Sequence, residues 1–189
     1  MSSAQCHYRS LILGGVKSGK SDHALQLADD YTLGNGRAVT FIATATAGDE
    51  AMSRRIARHK SERNPQWHCI EEPLALARTL ANVDSSAVRS DHNSCIVIDC
   101  LTLWITNLLM LEDQDRLEQE IAQFESAVIQ CSTRLIIVSN ETNMGVTPLS
   151  DLARRFCDET GLLHQKLGRI CEHVALMVAG IPLVIKDTH

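Results

Sequence analysis

Short apolar runs alternate with amphipathic stretches along most of the chain. Residues 10–13, SLIL, predict a strand that runs into glycines, and residues 21–31 predict a helix with Ala24, Leu25, Leu27 and Ala28 as its apolar positions. Residues 38–44 are β-branched and aromatic and predict a second strand. A polar helix is expected over 48–63, a short strand over 67–70, and the opening of another helix over 71–80. CIVID, 95–99, reads as a buried strand. One long helix is expected from about 102 to 131, since Leu117, Ile121, Phe124, Val128 and Cys131 recur every three or four residues. RLIIV, 134–138, predicts a further strand and 149–172 a further helix. HVALMVAGIPLVIK reads as two strands around a turn at Gly-Ile-Pro. Buried strands alternating with helices imply an α/β fold: a mainly parallel sheet covered on both faces, with a C-terminal strand pair. Ligands of such sheets sit at the carboxyl ends of the strands.

The chain has 189 residues, 44% apolar and 22% charged, and shows no repeat or linker. One compact domain over 1–189 is expected, with enough core to need no staple. No apolar run approaches the roughly 18 residues that would span a bilayer. The first ten residues lack the charged and apolar regions of a secretory signal, which points to the cytoplasm. Seven cysteines, at 6, 69, 95, 100, 131, 157 and 171, contain no C-x-x-C pair. They read as small buried hydrophobes rather than as a disulfide or zinc framework. The formal net charge of −5 argues against a sequence-independent nucleic-acid binder and leaves room for a local basic pocket.

Gly14-Gly15-Val16-Lys17-Ser18-Gly19-Lys20-Ser21 fits G-x-x-x-x-G-K-[ST], directly after a predicted strand and directly before a predicted helix. Glycines let successive N–H groups turn inward as an anion nest, and the helix start adds its positive dipole end. Lys20 is placed to reach the β- and γ-phosphates of a nucleotide, and the Ser21 hydroxyl to ligate Mg²⁺. Asp99 closes the CIVID strand, where a carboxylate downstream of a phosphate loop holds the same ion. A solvated strand-end carboxylate, or a cap for the helix that opens at Leu101, is the alternative role for Asp99.

In MSRRIARHKSER, Arg55, His59 and Arg63 are spaced four apart and share a helix face. A solvated charge run is the plainer interpretation of this stretch. The chemistry nevertheless suits nucleotidyl transfer. An imidazole with a pKa of about 6.5 is mostly neutral at pH 7 and nucleophilic. Neighbouring cations depress that pKa and stabilise charge on a phosphate under attack. From the residues alone, a phosphate-loop small-molecule kinase with a structural His59 stays open as the alternative.

GGVKSGKS, FIAT, HK-x-x-R with W-x-x-x-E, IDCLTLWITNLL, VSNETNMGVTP, LARRF and AGIPLVIK occur in order over about 10–186. Together they resemble the bifunctional adenosylcobinamide kinase / adenosylcobinamide-phosphate guanylyltransferase family. The resemblance implies a RecA-like P-loop NTPase fold. It implies phosphorylation of the aminopropanol hydroxyl of adenosylcobinamide, then transfer of GMP from GTP to that phosphate through a guanylyl-histidine. ATP and GTP would be substrates, Mg²⁺ the cofactor, and the assembly a homotrimer. The catalytic histidine falls on His59, and Lys20 of the phosphate loop is the other catalytic candidate. Nucleotide contacts fall on Gly14 to Ser21, on Ile42, Ala43 and Thr44, on Lys60, Ser61, Glu62 and Arg63, on Glu71 and on Asp99. Four positions depart from the family's pattern. Asp99 stands where glutamate is frequent and Asn143 where glycine is usual. Cys157 replaces an arginine, and His164 an asparagine.

Overall fold

The computed structural model describes residues 8–32, 37–46, 50, 64–89 and 94–188. Among these residues seven strands form one sheet: β1 (Arg9–Gly14), β2 (Ala38–Ala43), β3 (His68–Glu71), β4 (Ser94–Asp99), β5 (Arg134–Val138), β6 (His173–Val178) and β7 (Ile181–Asp187). Their order is β3-β2-β4-β5-β1-β6-β7. Every pairing is parallel except the β6–β7 hairpin. Its turn residues, Ala179 and Gly180, both have positive φ, 51° and 81°. That is the geometry a two-residue hairpin needs to match strand twist.

The inner strands β1, β2, β4 and β5 are apolar on both faces because both faces are covered. Leu11, Ile42, Ile96, Ile98, Leu135 and Ile137 point into one buried cluster. Ile12, Phe41, Val39, Val97, Ile136 and Val138 point into the other. Helices α2 (Leu76–Arg89), α3 (Leu101–Leu109), α4 (Gln114–Gln130) and α5 (Asp151–Ile170) supply the first cluster. Helix α1 (Lys20–Thr32) supplies Ala24 and Ala28 to the second. Such period-two segregation is what a doubly covered sheet dictates.

Three expected boundaries are corrected. The stretch 102–131 is two helices, α3 and α4. Glu112 takes φ 55°, and the Asp113 carboxylate accepts the Arg116 N–H at 3.0 Å as the N-cap of α4. Glu71 belongs to β3, not to a helix. The Glu72 carboxylate accepts from the N–H groups of Leu74 and Ala75, at 3.0 and 2.8 Å, and α2 starts only at Leu76. The hairpin turn falls on Ala179-Gly180, one residue before the expected site. Cys95, Cys100, Cys131 and Cys171 are buried as expected, but Cys69 is exposed. Burial pushes the Cys95, Cys131 and Cys171 thiols up to about 12, so they stay protonated. The polar helix expected over 48–63 lies outside the described residues, apart from Glu50.

Asp84 fixes the chain that enters β5. From α2 its Oδ1 accepts the N–H groups of Ser132 and Thr133, at 3.1 and 2.8 Å, and the Ser132 hydroxyl at 3.2 Å. Burial alone would raise its pKa, but the hydrogen bonds from Thr133, Ser132 and Cys131 outweigh that and hold it below the ordinary value. The stabilisation is therefore present above the unfolded carboxylate's pKa of about 3.9 and is lost as pH falls through the folded value. Asp84→Ala is expected to cost about 2 kcal/mol at pH 7 in urea unfolding, with the difference from wild type shrinking in acid. An unchanged urea midpoint at pH 7 would contradict this.

Candidate active site

The chain leaves β1 at Gly14 and enters α1 at Lys20, so residues 14–20 form a tight loop at the carboxyl edge of the sheet. Gly14 has φ 151°, and a Cβ there would lie 2.6 Å from Ser18 Oγ and 2.7 Å from the Met177 carbonyl oxygen. Lys17 at φ 58° and Gly19 at φ 91° continue the left-handed backbone that turns N–H groups inward. The Lys20 ammonium is buried in the loop and donates to the Gly15 carbonyl at 2.6 Å. Ser18 Oγ is buried without a hydrogen-bond partner among the described residues, as expected where a ligand completes the bonding.

The loop is braced from two sides. The N–H of Gly180, at the tip of the β6–β7 hairpin, donates to the Ser18 carbonyl at 3.0 Å. On the other side the segment after β5 crosses it. Ser139 N–H donates to the Ile12 carbonyl and Glu141 N–H to the Gly14 carbonyl, each at 3.0 Å.

Strand register aligns the remaining candidates in one row. Ala43 on β2 pairs with Glu71 on β3 and with Asp99 on β4. Neighbouring strands are about 4.8 Å apart, so Asp99 and Glu71 stand roughly 10 Å from each other along this edge. The Ser21 hydroxyl donates to Asp99 Oδ2 at 2.8 Å. Cys100, not Asp99, is the N-cap residue of α3. Thr44 is fully buried. Its hydroxyl accepts the Cys100 N–H at 2.9 Å and donates to the Cys100 carbonyl at 2.7 Å, so it ties β2 to the start of α3. Ile42 is also fully buried. The side chains of Ile42 and Thr44 thus shape the edge from beneath, whereas Val16 and Lys17 are exposed on the loop. The structure brings together Gly14 to Ser21 with Asp99, and sets Ala43, Thr44 and Glu71 beyond them. His59, Lys60, Ser61, Glu62 and Arg63 lie outside the described residues.

A cluster with no role assigned from the sequence sits between β5 and α5. Ser139 Oγ and His164 Nε2 are 2.7 Å apart, both buried. Burial pushes the His164 imidazole below its ordinary pKa, against the opposing pull of the Glu141 carboxylate. The Asn143 side chain donates to the Cys157 carbonyl at 3.1 Å, over Gly161, where a Cβ would lie 2.3 Å from Asn143 Nδ2. Asn140 Nδ2 donates to Thr102 Oγ1 on α3 at 2.8 Å. Three of the four departures, Asn143, Cys157 and His164, thus fasten one loop to one helix. Beyond that clasp Met144, Val146 and Leu149 are exposed, and an apolar hollow lined by Leu109, Met110, Leu152 and Phe156 lies between α3 and α5. The signal for this cluster was the position of SNE directly after the strand that neighbours β1.

Among the described residues no group of three or more His, Cys, Asp or Glu is placed to hold a metal ion. An Mg²⁺ site in this fold needs fewer protein ligands, because phosphates and water complete it. The Ser21 and Asp99 oxygens are both hard donors. Their 2.8 Å separation is close to the roughly 3 Å between adjacent oxygens of an octahedral Mg²⁺ shell.

A family model described as "Cobinamide kinase / cobinamide phosphate guanyltransferase" matches residues 10–185. The bifunctional adenosylcobalamin biosynthesis protein CobP of Pseudomonas aeruginosa is 47% identical over 178 residues, 94% of this chain and 97% of that protein. The bifunctional adenosylcobalamin biosynthesis protein CobU of Escherichia coli is 33% identical, covering 93% and 98%. Among solved structures, an ATPase domain superposes with TM-score 0.58 at 11% identity, covering 96% of this chain and 78% of that one. The KaiC-like protein PH0186 of Pyrococcus horikoshii gives 0.50 at 15% identity, covering 90% and 70%. These structural likenesses establish the RecA-like P-loop fold. With the phosphate loop, the Ser21–Asp99 contact and near full-length matches in hand, the chain belongs to the cobinamide kinase / cobinamide phosphate guanyltransferase family.

Proposed function

We propose that residues 1–189 form one domain that runs two reactions in turn on a single nucleotide cradle. The first phosphorylates the aminopropanol hydroxyl of adenosylcobinamide. The second transfers GMP from GTP to that phosphate through a guanylyl group carried on His59. The Ser21–Asp99 contact at 2.8 Å, beside a lysine buried in its phosphate loop, is the observation that most directly supports a nucleotide-processing edge.

The loop N–H groups and the α1 N-terminus bind the phosphates of ATP or GTP. Lys20 turns from the Gly15 carbonyl to the phosphates and offsets charge on the group being transferred. Ser21 and Asp99 would hold Mg²⁺, which neutralises phosphate charge when bound. Ile42, Ala43, Thr44, Lys60, Ser61, Glu62, Arg63 and Glu71 line the rest of the nucleotide site. In the second reaction His59 attacks the α-phosphorus and pyrophosphate leaves. A phosphate oxygen of adenosylcobinamide phosphate then attacks the guanylyl-histidine and frees the imidazole.

The enzyme acts in the cytoplasm as a homotrimer and has no nucleic-acid partner. Among the described residues no helix is long and apolar enough to cross a membrane. Ile181, Leu183, Val184 and Ile185 leave an apolar edge strand exposed, the kind of surface a second subunit covers.

Incubation with adenosylcobinamide, ATP, GTP and Mg²⁺ should give adenosyl-GDP-cobinamide by mass spectrometry. With ATP alone it should stop at adenosylcobinamide phosphate. Hydrolysis of nucleotide with no change in the corrinoid would refute both assignments.

A further inference from the structure

The two proposed reactions differ in what their acceptors require. The first acceptor is an alcohol, whose proton must be removed as its oxygen bonds to phosphorus. The second is a phosphate monoester, already an anion near neutral pH because its second pKa is about 6. One reaction therefore needs a base at the phosphate edge, and the other does not.

Among the described residues, two carboxylates leave the sheet next to the phosphate loop. Asp99 is engaged by Ser21. The other is Glu141, three residues past the end of β5, the strand that lies between β4 and β1. Its backbone is pinned to the loop by the 3.0 Å bond to Gly14. Its half-buried carboxylate accepts the Asn143 N–H through Oε1 at 2.8 Å. No lysine or arginine forms an ion pair with it among the described residues. Its neighbours hold it in place, through Ser139 on His164, Asn140 on Thr102 and Asn143 on the Cys157 carbonyl. Glu72 and Asp84, by contrast, have both oxygens occupied, one by two backbone N–H groups and the other by a hydroxyl, of Thr79 and Ser132 respectively.

We propose that Glu141 is the general base of the kinase reaction, held against the phosphate loop by the clasp that Ser139 and Asn143 form with His164 and Cys157 of α5. This rests on the two-reaction reading above. The acceptor O–H bond breaks and its proton passes to the Glu141 carboxylate. The oxygen's electron pair forms the new bond to the γ-phosphorus. The bond from the γ-phosphorus to the bridging oxygen breaks, and its electron pair leaves with the nucleoside diphosphate. Glu141 then returns the proton to water.

The experiment measures both reactions separately in wild type, Glu141→Gln and Glu141→Ala. Adenosylcobinamide with ATP reports the kinase. Supplied adenosylcobinamide phosphate with GTP reports guanylyl transfer. Glutamine keeps the oxygen that accepts from Asn143 but cannot take a proton. Glu141→Gln is expected to lower kinase kcat by about 100-fold or more, the range for loss of a general base, with guanylyl transfer within about threefold of wild type. Added formate is expected to restore part of the kinase rate of Glu141→Ala and none of that of Glu141→Gln. Kinase activity of Glu141→Gln within threefold of wild type would overturn the assignment, as would an equal fall in both reactions. A wild type that runs neither reaction would overturn the two-reaction reading and Glu141's role with it.

Discussion

Lys20→Ala is expected to lose both reactions together. The Lys20 side chain is buried inside the phosphate loop and its ammonium already sits on the Gly15 carbonyl. Ordering this long side chain is therefore done before any nucleotide arrives. Removing it takes away a fixed positive charge where negative charge gathers in transfer of the γ-phosphoryl group and in departure of pyrophosphate. Losing one such group costs about 10²–10³ in kcat. The same loss should be read in kinase turnover and in guanylyl transfer, with the folded content unchanged by circular dichroism. A variant that loses one reaction and keeps the other at the wild-type rate would show that Lys20 does not serve a shared cradle.

His59→Ala is expected to separate the reactions instead. The imidazole enters only the second, as the nucleophile that breaks the α-phosphorus bond of GTP. Without it, GTP labelled at the α-phosphate should leave no acid-labile label on the protein, and guanylyl transfer should fall by at least about 10⁴, the scale for removing a covalent nucleophile. Kinase turnover should persist, because transfer of the γ-phosphoryl group uses the loop, Lys20 and the acceptor's base. Retained label in His59→Ala would place the guanylyl group on another residue. Equal loss of the kinase would assign the histidine a role in the cradle itself.

The parts of this molecule legible in its sequence are those governed by local rules. β-branched and aliphatic runs mark the strands because a doubly covered sheet buries mostly apolar side chains on both faces. The phosphate loop was legible because its backbone geometry demands glycine at 14 and 19, and its chemistry demands Lys20 and Ser21. The break between α3 and α4 is not legible, since apolar residues keep a helical spacing on both sides of it, Leu101 to Leu109 before and Leu117 to Val128 after. The break depends on Asp113 capping one helix. Of the clasp of Ser139, Asn143 and His164, only the SNE stretch after the RLIIV strand is legible, and its pairing with α5 is not. Its partners are 14 to 25 residues apart on a loop and a helix, and only the tertiary fold brings them together. The same holds for Thr44, whose hydroxyl is occupied by Cys100, 56 positions away.

The most direct test of a shared cradle serving a histidine nucleophile is the intact mass of wild-type protein after exposure to GTP and Mg²⁺, followed by mapping of the modified peptide. One guanylyl group per chain is predicted, on the peptide that contains His59, and adenosylcobinamide phosphate should discharge it. Unmodified protein from a preparation that still makes adenosyl-GDP-cobinamide would contradict the covalent route.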